Sequence, residues 1–350
     1  MPDLRVAIIG YGLAGRTFHA PLIAATPGLS VAAVVTADPG RRAQAAAEHP
    51  GVQVLDGADA LWAAGGFDAV VIATPNDAHA PLASAAIDRG VAAVVDKPLA
   101  VDVAEAQALV DRAQAAGVLL TVFQNRRWDA DHLTLARLLE GGQLGRVLRY
   151  ESRFERWRPT GTPDAWRERV PPGQGGGLLL DLGSHLVDQA LTLFGPVTEV
   201  YAEIASRRGG VADDDDFLAL THASGPISHL WLSALAAASG PRLRVLGTEA
   251  AFVAPGLDSQ EDELRAGRRP DTDPDWGVQP EFRRGRLIAG ERSVPLAGEP
   301  GDWPRFYALL RDALRDGGPP PVDPRDAVRT LTVLERARAS AARRQVVRVG

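Results

Sequence analysis

The chain has 350 residues, more than the ~250–300 over which one core usually stays single, so two domains are expected. Apolar residues make up 45% and charged residues 23%, which excludes a disordered chain. A net charge of −6, arginines spread along the whole sequence and no cysteine exclude an electrostatic nucleic-acid binder, a disulfide framework and a thiolate metal site.

The N-terminus, Met1-Pro2-Asp3-Leu4-Arg5, runs directly into a strand-like stretch without the basic start and apolar core of a signal peptide. No apolar run approaches the ~20 residues of a membrane helix. A cytoplasmic protein with no membrane partner is expected. Six short apolar runs follow, at 4–9, 31–36, 52–55, 69–73, 92–96 and 119–123, each trailed by a segment of helical spacing. Such non-alternating runs suit strands buried on both faces of a parallel, doubly wound sheet. The clearest helix opens at Asp102, with Glu105 three residues on, and stops at Gly117.

The first run ends in Gly10-Tyr11-Gly12-Leu13-Ala14-Gly15 and leads into a helix, the context that makes GxGxxG a dinucleotide fingerprint. Gly10 permits a tight turn, Gly12 and the adjoining Leu13 backbone approach the pyrophosphate, and Gly15 lets helix and strand pack closely. The bland alternative is a glycine-rich turn with no ligand. At the end of the second strand an NAD enzyme usually carries a carboxylate for the ribose. This chain has Thr36, with Arg41 and Arg42 beyond it, which favours a 2′-phosphate and hence NADP over NAD. The arginines equally suit a solvated helix face, and Asp38 suits a turn or cap.

Ligands of doubly wound sheets bind beyond the carboxyl ends of the strands. Thr74-Pro75-Asn76 follows the fourth strand there, with Asn76 a candidate for the cofactor cleft and His79 a helix-start residue. Asp96-Lys97-Pro98 follows the fifth. The Lys97 ammonium suits donation to a substrate oxygen that gathers negative charge; a plain surface lysine is the other reading.

In the second half, Gly175-Gly176-Gly177 precedes helical spacing over 178–194, ending at Gly195-Pro196. Asp181, His185 and Asp188 fall at i, i+4 and i+7 on one face, and the glycines let the chain approach a ligand. A histidine one turn from a carboxylate suits general acid–base work. A hard-metal site and a structural histidine remain as readings, but hydride transfer to a nicotinamide needs no metal and none is expected. His19, His49, His132, His222 and His229 read as structural or exposed. Asp213 to Asp216 reads as a solvated turn. The runs 197–206, 217–222, 228–234 and 242–246 suit antiparallel strands, 255–281 a polar loop, and 305–315 and 325–342 helices, the latter opened by Asp323-Pro324.

Gly10-x-Gly12-x-x-Gly15, Lys97-Pro98 and Asp181-x-x-x-His185, in this order, resemble the glucose–fructose oxidoreductase/inositol dehydrogenase family, Gfo/Idh/MocA, over nearly the whole chain. The resemblance implies an α/β N-terminal Rossmann domain, placed at residues 1–122. After it comes an α+β C-terminal domain, residues 123–350, with an open, mainly antiparallel sheet that often mediates oligomers. It implies Lys97 as catalytic lysine, His185 as proton-transfer residue and Asp181 as its carboxylate partner; Asp96 stands where the family usually has Glu. Thr36, Thr74, Pro75, Asn76, Lys97 and Pro98 join the glycines and Arg41 as expected cofactor contacts.

Phe123-Gln124-Asn125-Arg126-Arg127-Trp128 and the stretch from Gly256 to Gly277 resemble the NADP-dependent scyllo-inositol 2-dehydrogenase branch. Of that branch's Thr-Ser-Arg only Thr36 is kept. The likeness implies Asn125 and Arg127 at the substrate, a cyclic polyol or sugar, and a homodimer or homotetramer. A dinucleotide-sensing regulator and an NAD-using glycoside hydrolase are the readings from other classes.

Overall fold

The computed structural model describes residues 2–161 and 166–350. All six early runs are strands: β1 (Leu4–Ile9), β2 (Leu29–Val35), β3 (Gln53–Leu55), β4 (Ala69–Ile72), β5 (Ala92–Asp96) and β6 (Leu120–Phe123). They pair in parallel in the order β3-β2-β1-β4-β5-β6. Val6, Ala7, Ile8 and all of β4 are fully buried, which is why these strands read as unbroken apolar runs. Strand order reverses between β1 and β4, so the crevice of a doubly wound sheet opens beyond their carboxyl ends.

Local signals set the helix ends. Asp102 accepts the Glu105 N–H at 2.8 Å to start the helix Val103–Ala116, and Gly117 closes it at a φ of 64°. Asp38 accepts the Arg41 N–H at 2.8 Å and caps the helix Pro39–Glu48. By contacts the chain forms two units. One holds the chain up to Asn125 with Gln260–Trp276 and Asp302–Val328; the other holds Arg126–Ser259, Gly277–Gly301 and Arg329–Gly350. Instead of one crossing near residue 122, the chain returns to the first unit twice.

The second unit is built on an open sheet of β7 (Val147–Glu155), β8 (Val197–Ala205), β9 (Asp215–His222), β10 (Ile227–Ser233), β11 (Leu243–Gly247), β12 (Ala251–Ala254), β13 (Arg286–Ala289), β14 (Arg292–Pro295) and β15 (Val347–Arg348). Its order is β14-β13-β12-β11-β7-β10-β9-β8-β15. Only β7 and β10 run parallel; the other pairs are antiparallel. Burial alternates along β9, with Asp216, Leu218, Leu220 and His222 facing inward.

Two expectations are corrected. Asp213, Asp214 and Asp216 are buried rather than solvated, because backbone and arginine donors meet them. The stretch 255–281 is not simply an exposed loop. It contains a short helix, Gln260–Arg265, and buried Asp258, Ser259 and Gln260. No helix among the described residues is long and apolar enough to cross a membrane.

Candidate active site

The glycines after β1 have separate steric duties. A Cβ on Gly10, whose φ is 95°, would lie 2.4 Å from the Ala73 carbonyl oxygen, and one on Gly15 would lie 2.0 Å from the Gly10 carbonyl oxygen. Neither position admits a side chain. A Cβ on Gly12 would meet only the Arg41 Nη1, at 3.9 Å. Gly12 therefore faces open space beside a guanidinium, as a backbone that receives a pyrophosphate must. The following helix opens as a wide turn, Ala14–His19, and continues as Ala20–Ala24, with the Leu13 side chain exposed ahead of it. Thr36 is buried, and its N–H donates to the Leu55 carbonyl at 3.0 Å. The two candidate arginines separate: Arg42 pairs with Asp56, whereas Arg41 reaches the Gly12 turn.

Beyond β4 the Thr74 hydroxyl is buried without a hydrogen-bond partner, and Asn76 is buried in the turn Asn76–Ala78. An orphaned hydroxyl beside an open glycine turn fits a bound dinucleotide, whose polar groups would satisfy it. His79 opens the helix His79–Ile87 as expected, and it does more. Its Nδ1 lies 2.7 Å from the Pro98 carbonyl oxygen and its Nε2 3.0 Å from that of Thr74, tying the two loops together. The Lys97-Pro98 bond is cis, and Asp96 Oδ1 accepts the Lys97 N–H at 2.9 Å. Behind this segment His19 is wholly buried, with Nδ1 2.6 Å from the Tyr307 hydroxyl and Nε2 4.0 Å from Asp96. Burial pushes the His19 pKa down to about 4, so the ring is neutral at neutral pH.

In the second unit the expected helix 178–194 is broken once. Leu178–Asp181 forms one turn, Leu182 departs at a φ of −101°, and Gly183–Phe194 continues. His185 is buried in the continuing helix, its ring centre 6.2 Å from that of Phe154. Two arginines missing from the acid–base reading engage or join the carboxylates. Arg167 pairs with Asp181 at 3.1 Å. Arg127 forks onto Asp188, with Nε 2.8 Å and Nη2 2.6 Å from its two oxygens. Asp188 thus orients Arg127, an expected substrate residue. Asn125 is buried in the turn Asn125–Trp128.

The upstream glycines admit protein rather than a ligand: a Cβ on Gly176 would sit 1.9 Å from the Val170 carbonyl oxygen, and one on Gly177 2.1 Å from Asp213 Oδ1. Among the described residues no three His, Asp or Glu side chains are grouped to hold a metal. Arg167 left no sequence signal beyond its charge.

Known proteins share this organisation. The family described as "Oxidoreductase family, NAD-binding Rossmann fold" matches residues 4–124, and the GFO/IDH/MocA C-terminal domain matches residues 132–253. The chain is 41% identical over 337 residues to the uncharacterized oxidoreductase YdgJ of Escherichia coli K12, covering 95% of each. It is 31% identical to the scyllo-inositol 2-dehydrogenase (NADP(+)) IolW of Bacillus subtilis 168, covering 98% of this chain and 95% of that one. The solved structure of the oxidoreductase yvaA from Bacillus subtilis superimposes with a TM-score of 0.93 at 30% identity, covering 99% of this chain and 98% of the other. A Rossmann unit with its glycine turn intact and a second unit on a mixed sheet place the chain in the Gfo/Idh/MocA family of NAD(P)-binding oxidoreductases.

Proposed function

We propose that the protein is an NADP-preferring, cytoplasmic dehydrogenase that interconverts a cyclic polyol or sugar with its ketone, scyllo-inositol being the leading candidate. The likeness over nearly the full chain to IolW, which is named for that activity, carries this reading. A bound nicotinamide supplies the two-electron acceptor. His185 takes the proton of the reacting hydroxyl, and returns it when the ketone is reduced. Lys97 donates a hydrogen bond to the same oxygen and stabilises its alkoxide character. Asp181, with Arg167 beside it, orients the imidazole, while Arg127 and Asn125 hold other hydroxyls. Gly10, Gly12, Leu13, Gly15, Thr36, Arg41, Thr74, Pro75, Asn76 and Pro98 hold the cofactor. A panel of inositols and sugars, assayed with NADP and with NAD, tests the reading. Oxidation of at least one cyclic polyol is expected; inertness of the whole panel contradicts it.

Cofactor choice rests on Arg41, the arginine that reaches the glycine turn. A charge-assisted phosphate contact contributes about 1.5–3 kcal/mol, so NADPH should bind roughly tenfold or more tightly than NADH. Arg41→Ala should erase most of that difference. Fluorescence titration of both cofactors measures it, and equal affinities in the wild type refute the preference.

The same reading includes a homodimer or homotetramer. The less buried face of the second sheet carries Phe217, His229 and Trp231 in mutual ring contact, with the Arg153 guanidinium 3.9 Å from the Trp231 ring centre. A half-exposed aromatic cluster of this kind suits a self-complementary contact. Light scattering at micromolar concentration should give at least twice the chain mass; a monomeric mass rejects the assembly.

A further inference from the structure

In the acidic run Asp213 to Asp216, Asp213 and Asp216 are buried groups that the proposed reaction leaves unused. Asp213 Oδ2 accepts the Leu179 N–H at 2.7 Å, and the Asp213 carbonyl accepts the Leu178 N–H at 3.1 Å. Both donors belong to the turn that ends at Asp181 and runs on to His185. The absent side chain of Gly177 leaves the space this carboxylate fills. Asp213 thus seats the start of the turn from two sides.

Asp216 is buried next to it and within hydrogen-bonding reach. Asp213 Oδ1 and Asp216 Oδ2 are both buried, and among the described residues no donor meets either within hydrogen-bond distance. Among the described residues the nearby cations are few. Arg338 Nη1 stands 3.6 Å from Asp213 Oδ1, while Arg207 and Arg208 are committed to Asp214 and Asp215. The Ala205 N–H reaches Asp216 Oδ1 at 3.3 Å. One cation facing two buried carboxylates leaves room for one proton, and that proton satisfies both orphaned oxygens.

We infer that Asp213 is a positioning residue for the turn bearing Asp181 and His185, and that Asp216 steadies it through a proton shared between the two carboxyl groups. Burial first, and then the Asp213 charge, push the Asp216 pKa far above the ordinary carboxylate range. The positioning role rests on the proposed roles of Asp181 and His185; the shared proton does not.

Two variants separate the effects. Asp216→Asn keeps a donor toward Asp213 and has no proton to lose, whereas Asp216→Leu removes the donor. Infrared spectroscopy of the whole protein at neutral pH should show the carbonyl stretch of a protonated carboxyl in the wild type, absent from Asp216→Asn. Amide hydrogen exchange over residues 178–185 should quicken in Asp216→Leu and stay near wild type in Asp216→Asn. In turnover, Asp216→Leu should lose about tenfold or more in kcat with cofactor KM little changed, and Asp216→Asn should recover most of it. A wild type without the carboxyl band overturns the shared proton. Equal exchange and equal kcat in the two variants overturn the positioning role. If no polyol is turned over at all, the dehydrogenase reading fails, and the band and the exchange still decide this inference.

Discussion

Replacing His185 by alanine or Lys97 by methionine is expected to lower kcat at least ~100-fold each. A positioned acid–base contributes about 10²–10⁴-fold and a positioned donor to a developing oxyanion about 10²–10³-fold. The His185 imidazole is buried in the helix Gly183–Phe194, and its removal takes away the proton acceptor of the proposed scheme. Methionine at 97 keeps the length of the side chain and removes only the ammonium. Affinity for NADPH should change little in His185→Ala, since that residue touches no cofactor in the proposed scheme. Steady-state kinetics with separate cofactor titration measures both quantities. Near wild-type turnover in both variants would reject these roles.

The second large effect is on stability. The Asp188 side chain is 3% exposed and that of Arg127 16%, and the two share a fork of hydrogen bonds. Arg127→Ala strips both bonds from a buried carboxylate, a change that typically costs about 3–5 kcal/mol. Arg127→Lys retains the charge but lacks the planar fork, so it should fall between the two. Chemical denaturation of the three proteins gives the order directly. An Arg127→Ala protein as stable as the wild type would show that the pair contributes nothing.

The Rossmann half was legible because its signals are steric and local. Strands buried on both faces leave unbroken apolar runs, and Gly10 and Gly15 are required wherever backbone passes within 3 Å of a Cβ position. The choice between Arg41 and Arg42 was not legible, since it depends on where Asp56 lies after β3. In the second unit the central strand β7 escaped notice. Its Arg149, Glu151 and Arg153 interrupt any apolar alternation in the sequence, yet Glu151 is met by Arg153 at 3.0 Å and by Arg244 of β11 at 2.9 Å. Charges that neutralise one another across strands erase the alternation that marks a half-buried strand. The acidic run at 213–216 reads as solvated for a related reason: the donors that meet its carboxylates, such as Arg208 on Asp214 at 2.9 Å and the Leu179 N–H on Asp213 at 2.7 Å, are not visible in the run itself.

The candidate site was legible as a set of residue types and less so as a set of partners. Spacing alone puts Asp181 and His185 on one helical face, although the helix breaks at Leu182 between them; Arg167 lies in a separate short helix, Trp166–Arg169, and no spacing rule joins it to Asp181. Asp188, read with them as a third ligand or carboxylate, is instead the anchor of Arg127.

Net oxidation of a cyclic polyol is the activity proposed for the protein. The most direct measurement incubates the wild-type protein with scyllo-inositol and NADP in large molar excess, then quantifies the inosose and the reduced cofactor together. Equal amounts of the two, accumulating over many turnovers, are the predicted result. A cofactor that is reduced and reoxidised with no net change while a glycosidic substrate is cleaved, or no reaction of scyllo-inositol or any other polyol in either direction, would contradict it.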